Sequence, residues 1–284
     1  MTKSIMLQGT SSNVGKSVLC TAFCRILYQM GLKTAPFKAQ NMALNSTVTP
    51  DGGEIGRAQG AQAEAAGIKP TVEMNPILIK PKQDMYAQII VLGKAIGDMS
   101  AAEYRNDYLP KASSVVLECL NKLKKEYEVL VIEGAGSPAE VNLKDRDIVN
   151  MKTAELADAP VLLVADIDRG GVFASLIGTL ELLDPHEKAR VKGFIINKFR
   201  GDLELLRPGL TFLEEKTGIP VLGVVPYIHD HGIDQEDSVC LSEKISRDDV
   251  NAPIQIVVIQ LPRISNFTDI NPLLELPDTS VRYV

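Results

Sequence analysis

The stretch LQGTSSNVGKS, residues 7–17, ends in Gly15, Lys16 and Ser17, a set that can hold a phosphate chain. Five residues separate Gly9 from Gly15, one more than the common phosphate-binding pattern has. Its surroundings favour the phosphate reading over an ordinary glycine turn. An apolar run, SIMLQ, precedes it, and the amphipathic SVLCTAFCRILYQM follows. A strand, a loop and a helix N-terminus aim backbone N–H groups at one point. The expected nucleotide contacts are Gly9, Thr10, Asn13, Val14, Gly15, Lys16 and Ser17. Lys16 would reach the terminal phosphates, and the Ser17 hydroxyl would coordinate Mg²⁺.

A second metal ligand should be an acid at the end of another strand. Glu133 in VLVIEGAG fits, because it closes an apolar run and precedes two glycines on either side of Ala135. The competing reading is an ion-paired strand end. Glu54 in DGGEIGRAQ is read as opening a helix, where it serves either as a third ligand or as a cap. Two motifs point toward guanine and then fail. DRGG begins at Asp168, far beyond the loop, and NKF at Asn197 continues into Arg200 where the guanine-reading pattern needs a carboxylate. ATP is therefore the expected nucleotide. HDHG, from His229 to Gly232, lacks a third ligand and reads as a loop.

These residues need elements to place them. The 284 residues are 45% hydrophobic and 23% charged, enough for a sizeable core. The net charge of −6 argues against nucleic acid or an anionic membrane as main partner. No apolar run is long enough for a membrane span, and the N-terminus reads as a strand, so a cytoplasmic location is expected. Cys20 and Cys24, one helical turn apart, read as buried and inert, and Cys119 and Cys240 make no ligand pair with them. Strands are expected at TAPF, EVLVIE, APVLLVADI, VKGFIINK and IPVLGVV, with MYAQIIVLG as an extra strand near an edge. Their almost unbroken apolar character predicts a mostly parallel sheet covered on both faces. Helices near 100–126, 171–183 and 203–217 would be the crossovers, and in the first helix Leu19, Phe23, Ile26, Leu27 and Met30 would form the inner face. The fold class is thus α/β, a P-loop-type parallel sheet flanked by helices. Residues 1–245 would form this domain, and 246–284 a linker and the opening stub of a second α/β domain.

The loop spacing, taken with Glu133 and Glu54, resembles the dethiobiotin synthetase-like group of P-loop enzymes. Ser11 stands where partitioning ATPases carry an early lysine, which disfavours a nucleotide-switched binding protein. Longer stretches, among them PFKAQNMALNS, GGEIGRAQGAQAEAAG, MNPILIKP, IEGAGSPAEVNL, DRDIVNM, DIDRGGVFASLIGTL and INKFRGD, are similar to the glutamine-dependent, corrinoid-amidating branch of that group. They also disfavour a carboxylase of the dethiobiotin type. IVVIQLPRISNFTDINPL resembles the start of that branch's glutamine amidotransferase domain, whose catalytic cysteine and histidine would lie beyond Val284.

The resemblance implies an ATP- and Mg²⁺-dependent ligase of cobalamin biosynthesis. It would amidate the b, d, e and g carboxylates of adenosylcobyrinic acid a,c-diamide through acyl phosphates, with ammonia from glutamine. The implied partners are the corrinoid and the glutaminase domain, with a homodimer as a further arrangement. Lys16 and Ser17 carry over as phosphate and magnesium contacts, Glu133 and Glu54 as the metal shell, and Lys38 as the lysine holding the reacting carboxylate. Asp147, or its neighbour Asp145, would orient ammonia; Asn197 and Pro226, beside Tyr227, would hold adenine. Asn41, Asn45, Gln59 and Gln62 would offer hydrogen bonds to the substrate, or serve as ordinary loop and helix surface.

Overall fold

The computed structural model describes residues 2–144, 147–229, 231–233, 249 and 251–284. Its first half runs β1 (Lys3–Gly9), α1 (Lys16–Gln29), β2 (Thr34–Phe37), β3 (Gln40–Met42), β4 (Ser46–Val48), β5 (Glu54–Gly56), α2 (Arg57–Ala65), β6 (Ile77–Gln83), β7 (Tyr86–Val91) and β8 (Lys94–Ser100). A short α3 (Ala101–Glu103) then passes through a π turn (Tyr104–Tyr108) into α4 (Leu109–Glu126). There follow β9 (Val129–Glu133), α5 (Met151–Ala157), β10 (Val161–Asp166), α6 (Val172–Glu181), α7 (Pro185–Lys188), β11 (Val191–Phe199), α8 (Leu203–Thr217) and β12 (Val221–Pro226). The last elements are β13 (Ile254–Val258), α9 (Asn271–Leu274) and β14 (Thr279–Tyr283).

Six strands form the central sheet in the order β12-β11-β10-β1-β9-β2, and every pairing is parallel. The order turns back at β1, which lies between β9 and β10. A crevice opens at the carboxyl ends of strands at such a switch point, which is where the loop after β1 emerges. Side chains alternate between two cores. Met6, Ile132, Leu163 and Ile196 join residues of α4, α5, α6 and α8 on one face, and Leu7, Val131, Val164 and Ile195 join α1 on the other. Both faces are therefore dry, as the apolar runs require.

Three expectations are corrected. In α1 the buried positions are Lys16, Leu19, Cys20 and Cys24, while Ile26 and Met30 are 52% and 68% exposed. Leu19, Phe23 and Leu27 of the predicted stripe do pack against the sheet, beside the two small cysteines, and only Ile26 and Met30 fall outside the buried face. MYAQIIVLG does not edge the main sheet. Its strand β7 lies between β6 and β8 in a separate sheet of order β3-β6-β7-β8, where Ile89 and Ile90 are buried on opposite faces. Glu54 does not open a helix. It begins β5, which pairs antiparallel with β4, and α2 starts at Arg57.

Beyond the central domain, β13 and β14 pair in parallel in a two-stranded sheet of their own. The connection between them packs back on the first part of the chain. Phe267 is buried, Asn266 Oδ1 accepts from the Ser46 amide at 3.0 Å, and Ser265 Oγ donates to the Leu44 carbonyl at 2.6 Å.

Candidate functional site

The loop after β1 owes its shape to two backbone positions. Asn13 and Gly15 have φ of 61° and 94°, and a Cβ on Gly15 would stand 2.2 Å from Asn197 Nδ2. Gly15 is the N-cap of α1, so amides of the first turn face the crevice. Gly9 is also tightly framed: an added Cβ would meet Lys16 Nζ and the Ser11 carbonyl, each at 2.8 Å. Lys16 folds back over the loop, donating to the Ser11 carbonyl at 2.9 Å and to the Gly136 carbonyl at 3.1 Å. The second contact ties the loop to the turn after β9.

Glu133 ends β9 and is 1% exposed. Its Oε1 accepts from Ser17 Oγ at 2.9 Å and pairs with Lys38 Nζ at 2.8 Å; its Oε2 accepts from Gln62 Nε2 at 2.6 Å. Burial works to raise the Glu133 pKa, but the Lys38 charge and the three donors outweigh it and hold the carboxyl below its ordinary value. The register explains the meeting. Leu7 on β1 is level with Glu133, and Phe37, the residue before Lys38, is level with Ile132 on β9. Ser17, Lys38 and Glu133 thus converge from separate segments at one sheet edge. Gln62, one of the predicted hydrogen-bonding amides, joins them from α2. Burial raises the thiol of Cys20, and that of Cys24 to about 12, with Glu133 adding to both effects, so neither is a nucleophile at neutral pH.

The other predicted residues fall around this centre. Asn197 Nδ2 donates to the Val14 carbonyl at 2.8 Å, holding the loop from the end of β11. Lys198, which sequence reasoning passed over, does the same for Asn13 at 2.7 Å and pairs with Asp166 at 2.8 Å. Only its place in NKF marked it. Pro226 ends β12 opposite Phe199, and the neighbouring Tyr227 lies 3.6 Å beneath the Arg200 guanidinium. Arg200 also pairs with Asp168 at 3.2 Å, so the two motifs that misdirect toward guanine bind one another. Tyr227 packs against His229 with ring centroids 4.8 Å apart and planes tilted by 53°, and His231 Nδ1 accepts from the Ile233 amide.

Glu54 and Asp147 make contacts of their own. Glu54 pairs with Lys80 and accepts from Ser46 Oγ at 2.6 Å. Asp147 Oδ1 accepts from the amides of Val149 and Asn150, each at 2.9 Å, capping the approach to α5. Asp145 lies outside the described residues. Asn41 Nδ2 donates to Gln59 Oε1 at 3.3 Å; both are buried, as is Asn45.

Beside the loop lies a cleft of about 750 Å³, walled by apolar side chains such as Ile79, Ile89, Met99 and Ile148 and edged by Gln40 and Ser137. Gly136, whose carbonyl accepts from Lys16, forms part of its wall, and so does Asp147. The cleft therefore begins where the loop ends. The arrangement can hold a phosphate chain at the helix N-terminus, with an apolar molecule alongside it.

The chain is 68% identical to the cobyric acid synthase of Desulforamulus reducens over 286 aligned positions, covering 100% of this chain and 55% of that protein. It is 59% identical to the cobyric acid synthase of Geobacillus thermodenitrificans, covering 100% of this chain and 57% of the relative. The chain thus spans about half the length of the curated relatives it matches. Among solved structures, the signal recognition particle receptor FtsY of Elizabethkingia anophelis in complex with GDP superposes with a TM-score of 0.47 at 16% identity, over 83% of this chain and 60% of that one. So loose a superposition decides nothing about the nucleotide. A family model for the CobQ/CobB/MinD/ParA nucleotide binding domain matches residues 5–236, from β1 through the loop, Glu133 and Asn197 to the end of the central sheet. The chain belongs to the CobQ/CobB/MinD/ParA nucleotide-binding domain family.

Proposed function

We propose that this chain carries the ATP-dependent half-reaction of a cobyric acid synthase, activating corrinoid carboxylates for amidation by ammonia. The observation that carries the proposal is the convergence of Ser17 and Lys38 on Glu133, with Lys16 bonded to the Gly136 carbonyl in the wall of the adjoining apolar cleft. The long identity to proteins of that name supports the choice of reaction.

A carboxylate resists ammonia because it is anionic and lacks a good leaving group. Phosphorylation supplies the leaving group, so the residues must bring two anions together. Lys16 and the amides at the start of α1 neutralise the phosphates. Lys38, at the end of β2, holds the incoming carboxylate by charge, and the apolar cleft excludes water that would hydrolyse an acyl phosphate. Asn197 and Lys198 hold the loop through its Val14 and Asn13 carbonyls, and Pro226 and Tyr227 would flank the adenine side. Gln62 orients the second oxygen of Glu133.

The Ser17 hydroxyl and the Glu133 carboxylate form a pair of hard oxygen donors that fits Mg²⁺, and Glu54 is the proposed third member. When bound, the ion would shield charge on the phosphates. Asp147 is proposed to face the substrate. The backbone amides of Val149, Asn150 and Lys152 fix its position. The 246–284 segment is proposed as the start of the ammonia-supplying domain.

The test is ADP release by this chain with Mg-ATP and cobyrinic acid a,c-diamide, supplied with ammonium in one sample and glutamine in another. Corrinoid-dependent turnover with ammonium is the expected result. ADP release indifferent to the corrinoid, from a chain that binds ATP, would sink the proposal.

A further inference from the structure

A second cleft of about 660 Å³ adjoins the apolar one, and the two share Arg105, Leu109, Lys144, Asp147, Ile148 and Glu187. Their linings differ. The first is mostly hydrocarbon, whereas the second holds four permanent cations: Arg105, Lys144, Lys152 and Arg190. Three of these are neutralised within the fold. Lys144 pairs with Asp184 and Glu187, each at 2.8 Å, Lys152 pairs with Glu155 at 2.8 Å, and Arg190 pairs with Asp158 at 3.1 Å. Arg105 is different: among the described residues it has neither an ion pair nor a side-chain hydrogen bond, and it lines both clefts.

Its backbone is held although its charge is not satisfied. Arg105 lies in the π turn Tyr104–Tyr108 between α3 and α4. Tyr104 donates its hydroxyl to Gln40 Oε1 across the apolar cleft, and its ring stacks on Tyr108 with centroids 5.5 Å apart. A π turn inserts an extra residue into a helix and re-aims the side chains that follow, and such turns recur at functional sites. An exposed guanidinium at the junction of two cavities, with its in-plane donors unspent, matches a carboxylate bidentately.

We propose that Arg105 is a specificity-determining residue. It binds a peripheral carboxylate of the ligand whose apolar body occupies the larger cleft, and so sets the ligand's orientation toward Lys38. This rests on the cleft assignment made under Proposed function. An arm already converted to an amide offers Arg105 no charge. The residue therefore favours ligands with unreacted arms and releases the finished product.

The experiment is a visible-absorbance titration of two corrinoids with this chain in the presence of Mg-ADP. One is cobyrinic acid a,c-diamide, and the other is the product in which four further carboxylates have become amides. Wild type is expected to bind the diamide more tightly. R105Q should weaken diamide binding about tenfold, the scale of one charge-assisted contact, and leave product binding unchanged. R105K should restore part of the preference, and all three proteins should unfold at the same temperature. Equal weakening toward both corrinoids, or no weakening, would overturn the role of Arg105. If wild type binds nucleotide but neither corrinoid, the cleft assignment itself falls and Arg105 with it.

Discussion

Two carboxylates singled out by the same reasoning, Glu133 and Glu54, sit in physically different places. Glu133 is sealed at the end of the central sheet with three donors around it, its Lys38 partner equally buried. Glu54 is on a two-stranded ribbon, paired with Lys80 while its side chain keeps 29% exposure. Water screens the second pair and not the first. The first is therefore an all-or-nothing assembly, since removing one partner leaves an uncompensated charge in the interior. The second is a local, replaceable contact. The difference teaches that an acid at a strand end or turn signals chemistry in proportion to what is buried around it, which its sequence neighbours do not reveal.

The largest expected effect that would break this comparison is K38M. It strands the Glu133 carboxylate and should destabilise the chain by about 3–5 kcal/mol in urea unfolding, with loss of corrinoid-dependent ADP release. Adding E133L should recover most of the stability and none of the activity. If K38M alone is neutral in unfolding, the two sites are not different in kind.

Next comes Gly15→Ala. It forces a side chain into a left-handed backbone and against Asn197, and it should cost about 1–2 kcal/mol and at least about tenfold in nucleotide affinity by calorimetry.

The pH dependence sharpens the same contrast. Glu133 has a folded pKa below its unfolded value, so its contribution is present above the unfolded value, near 4.5. It is lost as the pH falls through the folded value. The urea midpoint of wild type should therefore decline in acid, and the E133L/K38M pair should flatten that decline. An unchanged acid limb would count against the buried network.

Smaller still, E54Q should change stability by no more than about 1 kcal/mol. Its informative readout is the Mg²⁺ concentration needed for half-maximal nucleotide binding. A shift comparable to that of an E133Q variant would join Glu54 to the metal shell, and no shift would leave it a structural partner of Lys80. The smallest effect is expected for R263A, which removes an exposed pair with Asp84 and should leave the unfolding midpoint within experimental error.

Much of the centre was legible because it is built from short local patterns. The loop and the strand ending at Glu133 are each readable within ten residues or so, whereas the lysine after TAPF was marked by the family resemblance. What escaped was set by partners distant in sequence. Gln62 was read as substrate-facing or surface, yet it contacts Glu133 across 71 positions. The Gly136 carbonyl that receives Lys16 carries no side-chain signal at all. Of the predicted α1 stripe only Ile26 and Met30 lie exposed, because close packing against a sheet turns the smaller Cys20 and Cys24 side chains inward.

By itself, the sequence determined the parallel sheet and the nucleotide loop, and singled out Lys16, Ser17 and Glu133. Each follows from a local rule of periodicity, backbone freedom or charge at a strand end. Only the tertiary structure decided that β1 lies between β9 and β10 and so opens the crevice at the loop. It also decided that β3, β6, β7 and β8 form a second sheet walling an apolar cleft, and that Arg105 lines that cleft without a partner among the described residues. Strand order and cavity shape depend on contacts between residues far apart in the chain, whose energies no local pattern encodes.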